Sequence, residues 1–255
     1  LSGNSSMSNT STSTSATQSA IVWADPAREA AFQVWLQAQV AEHGVQPQTV
    51  RAASADASFR RYFRVDGGQN GSLIVMDAPP AQEDCKPFVS VARLLEAGGV
   101  TVPHILSWDE AQGFMLISDL GSSTFLSTLD MNDANAPDNR ARYDAALDEL
   151  VRIQQVPAQG KVPPYDDALL QREMDLLPQW YLTQLRGLTL TDDDQAMLTR
   201  TFALIKAQVL AQPQVLVHRD YHSRNLMADP QNAKARLGVI DFQDAVLGSI
   251  AYDAV

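Results

Sequence analysis

The sequence predicts an α+β chain in two unequal lobes, a small mixed β-sheet lobe over residues 21–118 and a mainly helical lobe over 119–255. Three observations carry this. Two pairs of short apolar strands, each joined by a polar turn, fall in the first half. Apolar positions at helical spacing dominate the second. Two further apolar runs, 215–217 and 237–240, return near the end and flank a polar loop.

The elements follow in order. Residues 1–20 hold 12 Ser or Thr and almost no large apolar side chain, so they form an expected disordered tail, with Met7 as the expected native start. Asp25 followed by Pro26 is a helix start, a capping carboxylate and a proline at the first helical position. Phe32, Trp35, Leu36 and Val40 continue one apolar face, and Gly44 ends the helix. Strands are expected at 59–65 and 72–76, then a helix over 84–97 stopped by Gly98 and Gly99. A second strand pair, 105–108 and 114–118, completes the sheet, and 118–121 reads as the connection between the lobes. In the helical part Tyr143, Ala146, Leu147 and Leu150 share a face, as do Leu198, Phe202, Ile205 and Val209. Residues 132–139, with Pro137, read as a loop. Asp192, Asp193 and Asp194 occupy a first turn, where carboxylates oppose the positive end of the helix dipole, and serve as helix starters rather than metal ligands.

Composition excludes several classes. A formal charge of −11 argues against general affinity for nucleic acid or anionic membrane. No apolar run reaches the ~18 residues of a membrane span, and no basic segment precedes an apolar one as in a secretory signal. A lone cysteine, Cys85, excludes an internal disulfide and fits a reducing cytoplasm. Positive charge is nevertheless clustered. Arg51, Arg60, Arg61 and Arg64 fall close together, suggesting a triphosphate neighbourhood over the alternative of an ordinary solvated strand face.

The chemistry concentrates in 215–244. A strand runs into His218-Arg219-Asp220, Asn225 follows five residues after Asp220, and a second strand runs into Asp241-Phe242-Gln243. Phosphoryl transfer needs one carboxylate to take the proton of an attacking hydroxyl, and an amide oxygen with a second carboxylate to hold Mg²⁺ on the nucleotide phosphates. The interval matches the kinase catalytic-loop pattern H-R-D-x-x-x-x-N. Asp220 is thus the candidate base, with Asn225 and Asp241 the candidate metal ligands.

With His222, Gly248 and Tyr252-Asp253 added, the segment resembles the aminoglycoside phosphotransferase superfamily, small-molecule kinases on the protein-kinase-like two-lobed fold. Residues 54–64, 74–80, 113–121 and 173–181 resemble one branch, the cell-wall-sugar kinases that phosphorylate N-acetylmuramate and N-acetylglucosamine at C1. The resemblance implies a cytoplasmic enzyme of peptidoglycan recycling using ATP and Mg²⁺ on a small sugar, and a helical lobe continuing past Asp253. It implies nucleotide contacts from Ser58, Arg60, Arg61, Asp119 and Leu120, with the backbone at 118–121 bonding adenine. It also implies a bracing duty for Asp253. Glu173 and Trp180, seven apart on a helix, are candidate sugar contacts, although Pro178 stands between them and aromatic burial is the commoner use; His222 is a third candidate. Two departures stand out. The strand 73–77 has no lysine, and no G-x-G-x-x-G loop is present, which leaves phosphate positioning to Arg60, Arg61 and the small-residue turn at 54–58. Competing readings are a kinase of another hydroxyl compound (an aminoglycoside or amino alcohol) and a catalytically silent scaffold.

Overall fold

The computed structural model describes residues 21–54, 59–68 and 71–255; the expected tail at 1–20 and Ser58 lie outside them. Helix α1 (Pro26–Ala38) starts as its sequence dictates, with Asp25 Oδ1 accepting the Ala27 N–H at 2.9 Å and Pro26 in the first turn. It breaks at Gln39 and resumes as the short α2 (Val40–His43), closed by Gly44 at φ 64°. After a 3₁₀ turn (Pro47–Thr49) comes β1 (Arg51–Ser54), a strand absent from the sequence reading because Arg-Ala-Ala-Ser has no apolar alternation. It forms by pairing with β2 (Arg61–Asp66). Next come β3 (Ser72–Asp77), α3 (Lys86–Ala97), β4 (Ile105–Asp109) and β5 (Phe114–Ser118), in one antiparallel sheet of order β1-β2-β3-β5-β4. Helix α3 begins at Lys86 rather than 84 because the Asp84 carboxylate accepts the Lys86 N–H at 2.9 Å in the turn before it. The β4–β5 turn needs its glycine. Gly113 sits at φ 70° and its N–H and C=O are both bonded, while a Cβ there would lie 2.0 Å from the Ala78 carbonyl oxygen.

Strand alternation gives the sheet two faces. Phe63, Val65, Leu73, Val75, Phe114 and Leu116 form the outer face, closed by Phe32, Trp35 and Leu36 of α1. Tyr62, Ile74, Met76, Met115 and Ile117 form the inner face, packed with Phe88, Ala92 and Leu95 of α3. That inner core continues into the second half through Leu216, Leu226, Val239 and Phe242, so one hydrophobic core spans both halves. The outer face carries one buried charge. Asp77, fully inaccessible, accepts two bonds from Arg28 of α1 (3.0 and 2.6 Å) and more from Arg61 of β2. Arg28 also lies 3.9 Å over the Phe114 ring and Arg61 4.0 Å over Trp23, so each cation has an aromatic as well as a carboxylate partner.

The second half holds α4 (Phe125–Thr128), α5 (Pro137–Gln154), α6 (Asp167–Met174), a π-helical segment (Leu177–Leu185) and α7 (Asp192–Leu210). Strands β6 (Gln214–Val217) and β9 (Val246–Ser249) pair antiparallel, as do β7 (Leu226–Met227) and β8 (Gly238–Val239). Two expectations need correction. Residues 137–139 are helical, not loop: Pro137 opens α5, and the Asn139 amide bonds the backbone of Asp130 and Asp133. On α5, Ala146 and Leu150 are buried, but Tyr143 and Leu147 are exposed. The buried side instead takes Arg142 and Glu149. Arg142 donates to the carbonyls of Asp229 (3.0 Å) and Pro230 (3.1 Å), leaving its Nε without a partner, and Glu149 accepts from Arg236 at 3.1 Å, so most of the cost of their burial is offset. The acidic first turn of α7 behaves as expected: Thr191 and Asp194 form a reciprocal capping box. Of the four apolar positions on α7, Phe202 is the buried one.

Candidate active site

Strand β6 delivers His218, Arg219 and Asp220 onto a bracketed turn. The backbone N–H groups of His218 and Arg219 donate to the two carboxylate oxygens of Asp253 at 2.6 and 2.9 Å. Arg219 has φ 78° and Asp241 has φ 64°, and these are the two non-glycine residues with positive φ among the described residues. Such conformations persist where surrounding contacts over-determine them, and they gather at functional sites. Here they fall on either side of one imidazole. His218, nearly inaccessible, accepts the Asp220 N–H at Nδ1 (3.3 Å) while Nε2 faces the Ile240 carbonyl at 3.0 Å. A carbonyl only accepts, so Nε2 carries the proton and the ring is neutral, in keeping with burial that pushes its pKa down.

The short β7–β8 ladder extends one residue further, with the Ile240 N–H donating to the Asn225 carbonyl at 3.0 Å. That register puts Asn225 beside Asp241. Asn225 Nδ2 lies 3.3 Å from Asp241 Oδ2 and 3.0 Å from the Asp220 carbonyl oxygen, while Gln243 Nε2 donates to Asp241 Oδ1 at 2.8 Å. The structure therefore joins the Asn225 and Asp241 side chains to the Asp220 backbone carbonyl in one hydrogen-bonded group, with both carboxyl-bearing residues exposed. Phe242, next to Asp241, is fully buried against Phe88 of α3 with ring centroids 4.9 Å apart, which fixes this group to the seam between the halves. Hard oxygen donors of this kind suit Mg²⁺, which takes one or two protein ligands and completes its shell with phosphate oxygens and water.

The remaining candidates are placed as follows. His222 is exposed within the same turn; its N–H donates to the Asp220 carbonyl (2.9 Å) and its Nδ1 accepts the Arg224 N–H (3.3 Å). Glu173 is bound on both oxygens, by Arg219 Nη2 at 2.7 Å and by the Tyr165 hydroxyl. Trp180 is 57% exposed and lies on the π-helical segment, whose i→i+5 turns shift it off the seven-residue return that would align it with Glu173. Asp119 accepts from Arg64, from Ser72 Oγ (2.7 Å) and from the Gly121 N–H (2.9 Å). Burial opposes its charge, but these donors outweigh it and hold the carboxyl below its ordinary range. The Leu120 side chain covers Gly238 of β8, where an added Cβ would meet Leu120 Cδ1 at 2.8 Å. Arg60 pairs with Glu83 at 3.2 Å, just before α3. Arg61 is on the outer face with Asp77, so the sheet stands between it and the inner face. With Arg51 on Asp66, all four clustered arginines meet a carboxylate. On the inner face of β3, Met76 stands fully buried among the core side chains. Sequence reasoning did not find Gln243 as a partner of Asp241, nor Tyr165 and Arg219 as partners of Glu173; the first adjoins the motif, whereas Arg219 is 46 positions from Glu173 and has no local signal.

This chain belongs to the phosphotransferase enzyme family, whose model matches residues 49–255. Over 209 residues it is 48% identical to the N-acetylmuramate/N-acetylglucosamine kinase of Pseudomonas aeruginosa, a match covering 82% of this chain and 59% of that protein. The protein of the same name from Neisseria meningitidis is 38% identical over 203 residues, 80% of this chain and 59% of the relative. The chain thus spans about 59% of the length of these relatives. Among solved structures, the GDP complex of aminoglycoside 2'-phosphotransferase-IIIa superposes with a TM-score of 0.63 at 16% identity, over 89% of this chain and 76% of that one. A macrolide 2'-phosphotransferase from Brachybacterium faecium gives 0.57 at 15% identity, over 87% and 75%. These likenesses establish the kinase-like fold.

Proposed function

We propose that this protein is an ATP-dependent sugar kinase that phosphorylates the anomeric hydroxyl of N-acetylmuramate and N-acetylglucosamine, acting in the cytoplasm in the reuse of cell-wall sugars. The observation that carries the reading is the hydrogen-bonded group of Asp220, Asn225 and Asp241. The names of the relatives support the substrate, and the nucleotide complexes among the structural neighbours support nucleotide use.

In this reading Asp220, exposed at the tip of its bracketed turn, accepts the proton of the C1 hydroxyl and aims its oxygen at the γ-phosphorus. Bound Mg²⁺ would neutralise charge on the transferring phosphoryl group. Asp241 and Asn225 would hold that ion; with Asn225 Nδ2 directed at two oxygens, its Oδ1 is the atom left for the cation. Gln243 fixes the rotamer of Asp241 by donating to its other oxygen. The backbone at 118–121 bonds the adenine edge, and Leu120 forms apolar floor beneath it. Arg60 and the small residues at 54–58 are the proposed phosphate-positioning groups in place of a strand lysine. His222, beside Asp220, and Trp180 are the proposed sugar-side contacts.

The test is to incubate the protein with Mg-ATP and a panel of amino sugars and alcohols, then locate the phosphate by phosphorus–carbon coupling. Product at C1 of N-acetylmuramate and N-acetylglucosamine is expected, and phosphate on another carbon sinks the sugar assignment. Asp220→Asn should lower turnover by about 10²–10⁴-fold at an unchanged melting temperature. Turnover retained in Asp241→Ala would refute the metal assignment.

A further inference from the structure

We infer that Glu173 is a positioning residue for phosphoryl transfer, acting through Arg219 on Asp220, and not a contact for the sugar. The inference rests on the kinase reading above and deepens it.

Four observations converge. Glu173, near the end of α6, uses both carboxylate oxygens internally: Oε1 takes Arg219 Nη2 at 2.7 Å and Oε2 takes the Tyr165 hydroxyl. Both oxygens of this carboxylate are thus oriented by groups of the protein itself, which sets its position from within the fold. Tyr165 is itself buried and packs edge-on against Tyr252 at 5.2 Å, so the acceptor end of the bridge is rigid. Arg219 is the residue between His218 and Asp220, and its backbone is held in the left-handed region at φ 78°. Finally, Arg219 Nε is buried and has no hydrogen-bond partner, so the guanidinium is anchored through Nη2 rather than by a full bidentate fork.

The consequence is mechanical. Asp253 fixes the turn from the backbone side, through the N–H groups of His218 and Arg219. Glu173 fixes it from the side-chain side, through the guanidinium. A residue at positive φ has lower-energy alternatives, and relaxation toward one of them rotates the next residue, which is Asp220. Both anchors together hold the Asp220 carboxylate at one orientation, and small errors in such orientation are costly because transfer depends on in-line geometry. Electrostatics agree with the geometry: Arg219 faces Glu173, with Tyr252 and Asp244 also near its charge.

The decisive experiment is steady-state kinetics of Glu173→Gln, Arg219→Gln and the double variant, each with its melting curve. Gln at 173 keeps one acceptor oxygen: turned toward Tyr165 it presents an NH2 to Arg219, so the variant removes both the charge and the acceptor facing the guanidinium. The expected result for Glu173→Gln is a kcat lower by about ten- to a hundredfold, with KM for sugar and for Mg-ATP within about twofold of the parent. Because both residues act through one bridge, the double variant should lose little more than either single one. A raised sugar KM with unchanged kcat would make Glu173 a substrate contact and overturn the inference. Multiplicative losses in the double variant would overturn it too, as would a kcat loss that follows the folded fraction in the melting curves. Should the parent protein phosphorylate no hydroxyl compound, it is the kinase reading that fails. An active parent with an indifferent Glu173→Gln removes the positioning role alone.

Discussion

Individual side chains at this site do their work by restricting one another. His218 is the clearest case, since a single neutral ring joins the turn bearing Asp220 to the carbonyl just before Asp241. Asp119 does the same between the sheet and the connection that follows it, gathering Arg64, Ser72 and the Gly121 N–H around one carboxylate. Its folded pKa lies below the ordinary 3.8, so its stabilising contribution is complete above that value and disappears as pH falls through the folded one. Asp119→Asn should therefore flatten the acid limb of stability; urea midpoints measured between roughly pH 2 and pH 5 would check this. On the outer face Asp77 balances two cations. Asp77→Ala leaves the partly exposed Arg28 and Arg61 with their aromatic partners but no carboxylate and should cost about 1–3 kcal/mol, read from the shift in chemical denaturation.

The elements were legible where local chemistry decides them. Asp25-Pro26, the helix over α3 and the strand pairs at β2–β3 and β4–β5 emerge within a residue or two because caps, glycines and alternation act over a few positions. Strand β1 was not legible, because it exists through its pairing with β2 and not through its own composition. The buried side of α5 was misjudged for a related reason. Arg142 and Glu149 are interior only because carbonyls at 229 and 230 and the guanidinium of Arg236 arrive from far along the chain. The π-helical segment has a local cause that was only half read. Pro178, which stands between Glu173 and Trp180, lies in the first turn of this segment, where the chain continues with wider turns, Thr183 Oγ1 donating to the Pro178 carbonyl at 2.8 Å. For α7, Thr191→Ala removes one half of the capping box and should destabilise the protein by about 1 kcal/mol, seen as a lower melting temperature with unchanged KM.

At the scale of the molecule, the halves share one core, and Phe242 is where the candidate site enters it. The spacing of Asp220, Asn225 and Asp241 was readable from sequence because two short strands fix where each residue emerges. The partners of the arginine cluster were not readable, since strand alternation alone does not say which face is covered by α1. Once the faces are known, Arg61 belongs to the outer layer and Arg64 to the connection with Asp119. Phe242→Ala should cost about 3–5 kcal/mol and lower stability of both halves in one transition; separate transitions would show that the shared core is not what couples them.

The uneven placement of indole rings gives this chain a built-in optical readout. Trp23, Trp35 and Trp108 accompany the sheet, Trp35 deeply covered, whereas Trp180 stands alone on the helical side and faces water. Blue-shifted emission thus belongs to the sheet and red-shifted emission to the π-helical segment. A sugar settling near Trp180 would alter the red component, while a nucleotide under the sheet would act on the blue through Trp108, the indole that packs with the inner core.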